Sequence, residues 1–282
     1  MSYEQQIEKV IDFIGKHIDE ELELDELCRI ACFSKYHFHR LFTVYTGLPL
    51  MNYIKWLRTK RAAHQLIMHK RKTIINIAFD AGFESHESFS RAFKQICGQS
   101  PSKFRHNANW ASFENPPKLL NIKGEKNMTI AIKELPTKRV AVIEHRGDPM
   151  KLSCTLDKLI TWANKQSINL KPKSKEAFGF GYHDPKEVEP KNFRFDLALS
   201  VPKDFKLNDE VIERIIPAGR YAVVMHNGSL DNVGDTIYSL YKNWLPQSGE
   251  KLGDLPCIFC YHNFPHEVAE PELLTEILVL LK

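Results

Sequence analysis

The 282-residue chain is 43% hydrophobic and 26% charged, a globular balance with room for two or three cored domains. No apolar run approaches the roughly 18 residues of a membrane span, and Ser2-Tyr3-Glu4-Gln5 opens a polar helix rather than a secretion leader. A soluble, cytoplasmic protein with no membrane partner is expected. The net charge of +4 is unevenly placed: residues 27–106 hold 14 Lys and Arg against 3 Asp and Glu, whereas residues 107–282 hold 23 of each sign. Such a local surplus is the electrostatic footprint of phosphate binding.

In chain order, Ser2 to about Glu20 reads as an amphipathic helix with Ile7, Val10, Ile11, Ile14 and Ile18 inward and a Ser2/Gln5 capping box. Its acids would keep it off a polyanion, so it reads as a brace. Leu24 to Thr46 suggests two helices around a tight turn. Leu27, Ile30 and Ala31 pack the first; Ser34 caps the second, which buries Phe38, Leu41 and Phe42 and shows Tyr36, His37, His39 and Arg40. A long helix from Leu50 to about His69 follows.

Thr73 to Arg105 repeats the helix pair. Thr73 caps a helix with Ile74, Ile77, Ala78 and Ala81 on one face, and Gly82 makes the corner. Ser85 caps the next, with Phe89, Ala92, Phe93 and Ile96 inward and His86, Glu87, Ser88, Ser90 and Arg91 outward. Phe38, Arg40, Phe42 and Gly47 recur 51 residues on as Phe89, Arg91, Phe93 and Gly98. Two such units on one chain suit a monomer entering neighbouring major-groove segments about 34 Å apart, at an asymmetric site.

I(x2)IA(x3)GF, F(x)R(x)FK and G(x)SP(x2)FR, carried here by Ile74 to Arg105, resemble the C-terminal signature of AraC/XylS-type transcription regulators. The resemblance implies double-stranded DNA as partner. It makes Tyr36, His39 and Arg40 of the first unit and His86, Glu87, Ser88, Ser90 and Arg91 of the second the base-reading candidates. Arg40 and Arg91, at one repeat position, could each fork onto guanine or clamp phosphate. Glu87 could accept from a cytosine amino group or stabilise the first turn of its own helix.

Residues 107–127, rich in Asn, Pro and Lys, read as a linker between a DNA-binding domain (1–106) and a second domain (128–282). From Met128 strands alternate with turns, and a second repeat appears: Pro136, Arg139, Ala141, Val142, His145 and Gly147 return 81 residues later as Pro217, Arg220, Ala222, Val223, His226 and Gly228. Each copy reads strand-helix-strand-strand, and two sheets meeting at a pseudo-twofold groove are expected. The fold class is thus an all-α double helix-turn-helix followed by an α+β domain. The second part resembles the GyrI-like domain, which implies a small-molecule pocket; the order of the two resembles the Rob type of regulator.

For that pocket the candidates are Trp162, Phe178, Phe180, Tyr182, Phe195, Tyr221 and Tyr238, with Glu276 as the sharpest. At the 81-residue offset Glu276 replaces Phe195 on an otherwise apolar strand face, and a buried carboxylate needs a basic partner or a ligand. The expected effector is lipophilic, and a cationic one would suit the carboxylate and the rings together. The only CxxC, Cys257 to Cys260, sits in a strand that would put the two on opposite faces; the six cysteines read as reduced, buried thiols, and no histidine spacing matches a zinc motif. No cofactor is expected. The leading function is a ligand-responsive activator that contacts RNA polymerase. The alternatives are a small-molecule hydrolase using Glu276 with a tyrosine, and a protein-sequestering module.

Overall fold

The computed structural model describes residues 2–114, 128–168 and 177–282. It divides into two compact units, Met1–Asn121 and Ile122–Lys282.

The first unit is helical: α1 (Tyr3–Lys16), α2 (Leu24–Ala31), α3 (Lys35–Thr46), α4 (Leu50–Met68), α5 (Ile74–Asp80), α6 (His86–Cys97), α7 (Pro101–His106) and α8 (Ala111–Glu114). The expected caps form at Ser2, Thr73 and Ser85, whose side chains accept backbone N–H groups of the first turn. Ser34 occupies the cap position of α3 without a side-chain cap bond.

The long α4 is the spine. Its Ile54, Ala62, Ala63 and Leu66 are buried, and Arg58 donates to the carbonyls of Ile18 and Glu20 at 3.2 Å each. The same guanidinium lies under the corner of the second helix pair, 3.0 Å from where a Cβ on Gly82 would stand. One side chain thereby ties the segment just after α1 to the turn of the second helix pair. The residues just after 106 also fold here. Trp110 and Phe113 close on Phe104 and Phe93, and Trp56 Nε1 donates to the Ser112 carbonyl. The linker reading therefore fails for 107–114, where two aromatics have a core to join; the rest of that stretch lies outside the described residues.

The second unit holds β1 (Ile130–Leu135), β2 (Lys138–Arg146), α9 (Leu152–Lys165), β3 (Ala177–Gly181), β4 (Arg194–Ser200), β5 (Ile212–Ile216), β6 (Gly219–Asn227), α10 (Val233–Ser239), α11 (Leu245–Ser248), β7 (Cys257–Tyr261) and β8 (Leu274–Leu280), with a π-helical turn at Leu240–Trp244 between α10 and α11. Among the described residues the strands form one antiparallel eight-stranded sheet in the order β1-β6-β8-β7-β3-β4-β2-β5. The expected two sheets are one, because β3 and β7 hydrogen-bond directly across the pseudo-twofold, Gly179 opposite Phe259. The outer strands are exchanged: β1 pairs with β6 of the second repeat, β5 with β2 of the first.

Helices α9 and α10 lie on one face of this sheet. His145 binds Thr155 of α9 at 2.8 Å and the Asp148 carbonyl at 3.1 Å; its repeat mate His226 binds Thr236 of α10 at 2.8 Å and the Ser229 carbonyl at 2.9 Å. These two histidines, each one residue from the end of its strand, are buried staples between strand and helix.

Gly82 and Gly98 both have positive φ, at 73° and 70°, but only Gly82 has a neighbour within reach of an added Cβ. Gly98→Ala should cost about 1–2 kcal/mol for the left-handed backbone alone. Gly82→Ala should cost measurably more in urea unfolding, because Arg58 must also move.

Candidate DNA-reading and effector sites

Helix α6 is built as a presented surface. Phe89, Ala92, Phe93 and Cys97 are buried while Glu87 and Arg91 are exposed and His86, Ser88 and Ser90 half-exposed. Ser88 is spent locally: with Ser85 it closes a capping box, its hydroxyl donating to the Ser85 carbonyl at 2.8 Å. Ser90 Oγ and His86 Nε2 are 3.4 Å apart, one turn along the same face. Hydrogen bonds from the Glu87 backbone N–H and the Ser85 hydroxyl hold the Glu87 carboxyl below its usual range, the geometry of a first-turn anion at a helix N-terminus.

Helix α3 differs from its repeat mate. Tyr36 and His39 are half-exposed, but His37 and Arg40 are buried, at 1% and 5% exposure. Arg40 donates to the Tyr36 carbonyl at 3.0 Å. The expected symmetry of Arg40 and Arg91 is broken: Arg91 faces solvent while Arg40 lies within the unit. Part of the basic surplus is committed in the same way, with Arg105 donating to the Lys72 carbonyl at 2.8 Å and Arg58 holding the brace.

In the second unit, register sorts the candidate pocket residues by face. His145 stands opposite Phe195, and Phe195 opposite Gly181, so Phe195 shares the helix-bearing face with Gly179, Phe259 and Tyr261. There the two glycines form a floor. An added Cβ on Gly179 would meet Phe195 at 2.6 Å and the Tyr261 hydroxyl at 2.8 Å, and one on Gly181 would meet Phe259 at 2.7 Å. The rings of Phe195 and Phe259 cross edge to face at 5.2 Å over this floor.

A model of the GyrI-like small molecule binding domain matches residues 128–282, and a helix-turn-helix model matches 27–107. The chain belongs to the GyrI-like family. In front of that domain it carries a helix-turn-helix domain of the AraC type. The probable transcriptional regulator YgiV of Escherichia coli K12 is 33% identical over 158 residues, 55% of this chain and 98% of YgiV. The regulatory protein SoxS of Salmonella typhimurium is 36% identical over 106 residues, 38% of this chain and 98% of SoxS. Among solved structures, an EcmrR–DNA complex determined by cryo-EM covers 92% of this chain and is itself covered to 84%, with a TM-score of 0.46 and 15% identity. The protein is a transcription regulator with a ligand-binding second domain.

Within this GyrI-like domain the eight sequence-derived candidates do not converge on one pocket. Phe178, Phe180, Tyr182, Tyr221 and Glu276 are buried on the face turned away from α9 and α10. Phe195 lies on the helix-bearing face. Trp162 and Tyr238 come from the helices and are engaged: Trp162 Nε1 donates to Asn208 at 2.8 Å, and the Tyr238 hydroxyl lies 2.8 and 2.7 Å from carboxylate oxygens of Asp184 and Glu187. The Tyr221 hydroxyl donates to the Pro217 carbonyl at 2.8 Å. The aromatic faces expected to await a cation already carry the chain's own: Lys138 over Phe178, Arg214 over Phe180, and Arg194 over Tyr182 at 3.8 Å.

Glu276 is 8% exposed and finds basic partners within the chain, Lys133 Nζ at 3.1 Å and His262 Nε2 at 3.3 Å. Its repeat mate is Asp196 rather than Phe195. Asp196 is flanked in the sheet by Glu144 and Phe180, as Glu276 is by Met225 and Cys260. The offset of 81 residues between β2 and β6 has become 80 between β4 and β8. A constant offset hid Asp196, the residue around which the far face of the first repeat is built. Asp196 is 0% exposed and meets Arg146 at 2.9 Å, Arg214 at 2.9 Å and Arg194 at 3.3 Å. Burial pushes its carboxyl up, but the Tyr182 hydroxyl, Arg214, Arg146 and the Arg194 charge together bring it below the usual range.

Cys257 and Cys260 do lie on opposite faces. Burial pushes the thiols of Cys28 and Cys97 up to about 11 and about 12, whereas Cys32 and Cys154 are exposed, against the expectation that all six are buried.

A folded-state pKa held below the unfolded value stabilises above the unfolded carboxylate range and is lost as pH falls through the folded value. Acid titration of the wild type should therefore show stability declining below about pH 4. Asp196→Asn should remove roughly 3–5 kcal/mol at neutral pH, since three arginines lose their counter-charge, and should flatten that acid limb. Urea melts across pH read both effects.

Proposed function

We propose that this protein is a cytoplasmic, effector-responsive activator of transcription that binds an asymmetric DNA site as a monomer and contacts RNA polymerase. The observation that carries the DNA part is α6: a capped helix whose apolar side is buried and whose other side offers His86, Ser90 and an exposed Arg91. Such side chains can read donors and acceptors in a major groove, and the Arg91 guanidinium is able to fork onto guanine. In α3 the reading falls to Tyr36 and His39, because Arg40 faces inward. The two units would thus contribute unequally, which suits a site with no internal symmetry. The RNA polymerase contact is supported by the AraC type of the N-terminal domain.

For the effector, the Gly179–Gly181 floor between the two helices is the proposed seat. Phe195, Phe259 and Tyr261 close over it, and swinging those rings would admit a flat lipophilic compound without unpairing a strand. A cationic effector is not favoured by the far face, where Lys138, Arg194, Arg214 and Lys133 already occupy the aromatic rings and carboxylates. The hydrolase alternative would pair Glu276 with a tyrosine hydroxyl, but Glu276 is engaged by Lys133 and His262.

In gel shifts, Arg91→Ala should weaken specific binding by roughly 1–3 kcal/mol while leaving affinity for random duplex nearly unchanged. Equal weakening of both would assign Arg91 to phosphate, and no change in either would reject α6 as a reader. In thermal-shift screens with planar aromatic compounds, hits should lose their stabilisation in Phe259→Ala and keep it in Glu276→Gln. The reverse pattern would move the seat to the far face.

A further inference from the structure

We propose that Cys260, His262 and Glu276 form a site for a divalent transition-metal cation of the zinc class, distinct from the effector seat on the opposite face. The three side chains come from adjacent strands. Cys260 and His262 are two residues apart on and just beyond β7, hence on one face, and Glu276 of β8 is the cross-strand partner of Cys260. Their ligating atoms all lie within 4.8 Å of one another. His262 Nε2 is buried, makes no well-aligned hydrogen bond, and stands at ion-pair distance, 3.3 Å, from Glu276 Oε2. Tetrahedral zinc, with Zn–N and Zn–O bonds of about 2.0–2.2 Å, holds two such atoms roughly 3.4 Å apart. Two of three ligands are therefore already at chelating separation.

The donor set itself selects the ion. Thiolate, imidazole and carboxylate together suit zinc and its neighbours, whereas magnesium and calcium want oxygen alone. Lys133 holds the other carboxylate oxygen, Oε1, at 3.1 Å, fixing the carboxylate with Oε2 toward His262. Water would complete the fourth position. On binding, the Cys260 Sγ–H bond breaks, the proton passes to solvent, and the sulfur lone pair forms the bond to the metal, with no change in oxidation state. Affinity should accordingly rise with pH.

The pseudo-symmetry supplies a built-in comparison. The mates of Cys260, His262, Glu276 and Lys133 are Phe180, Tyr182, Asp196 and Arg214. In the first repeat the carboxylate is neutralised by arginines; in the second a lysine stands in that role, and both neighbours are metal-ligating types. The first half places three arginines on its carboxylate, and the second places one lysine with a thiol and an imidazole beside it.

The test uses the full-length protein, reduced and stripped with a chelator, then titrated with Co²⁺ and back-titrated with Zn²⁺. One equivalent should bind with a thiolate-to-cobalt charge-transfer band in the near ultraviolet, and Zn²⁺ should abolish that band. Cys260→Ser should remove the band, and His262→Ala should weaken cobalt binding at least about tenfold. Cys257→Ser, on the other face, should leave the band intact. Should Cys260→Ser not fold, alkylation of wild-type Cys260 mapped by mass spectrometry should be slowed by Zn²⁺ and unaffected by Mg²⁺. Absence of the band at saturating cobalt, its survival in folded Cys260→Ser, its loss in folded Cys257→Ser, or alkylation indifferent to Zn²⁺ would overturn the assignment.

Discussion

A carboxylate buried in a sheet has to be met by positive charge, and in the second unit this requirement falls twice, at Asp196 and at Glu276. The neutralising cations arrive by way of the exchanged outer strands. Lys133 is written in the first repeat but stands on β1 beside the second repeat, where it reaches Glu276; Arg214 is written in the second repeat but stands on β5 beside the first, where it reaches Asp196. Strand exchange and charge compensation are therefore one arrangement. Each half of the sheet completes the electrostatics of the other, and the β3–β7 seam holds them in register.

The helical unit rests on a similar economy of means. Arg58 bridges the segment just after α1 and the corner at Gly82, so a residue that adds to the basic surplus is an internal tie. Arg40 and Arg105 share that fate. The charge available to meet phosphate is smaller than the composition implies. Asymmetry between the two pairs is thus a property of burial, since the repeat positions themselves match.

Much of this was legible in the residues. Hydrophobic spacing, Gly82, and the caps at Thr73 and Ser85 placed the helices, and the duplicated Pro-Arg-Ala-Val-His-Gly pattern placed the strand units. Legibility failed where one residue of offset decides the answer. The segment between β6 and β7 is one residue shorter than that between β2 and β3, so a fixed offset paired Glu276 with Phe195 and passed over Asp196. It failed again where contacts join separate strands. No linear spacing announces that Cys260, His262 and Glu276 converge, and period-2 alternation alone could not say which face of a single sheet the helices would cover. The inward turn of Arg40 was hidden for a related reason: its sequence position is that of Arg91, and only packing distinguishes them.

The exchanged strands also set an order of events on the ribosome. Ile130 emerges long before Val224, the residue it will lie against, and β8, whose Leu280 zips to Tyr221 of β6, is made after every other strand of the sheet. β1 must wait as an unpaired edge until β6 is made, and closure depends on contacts of high sequence separation, which form slowly. A nascent chain stalled between the two would present that waiting edge to its neighbours.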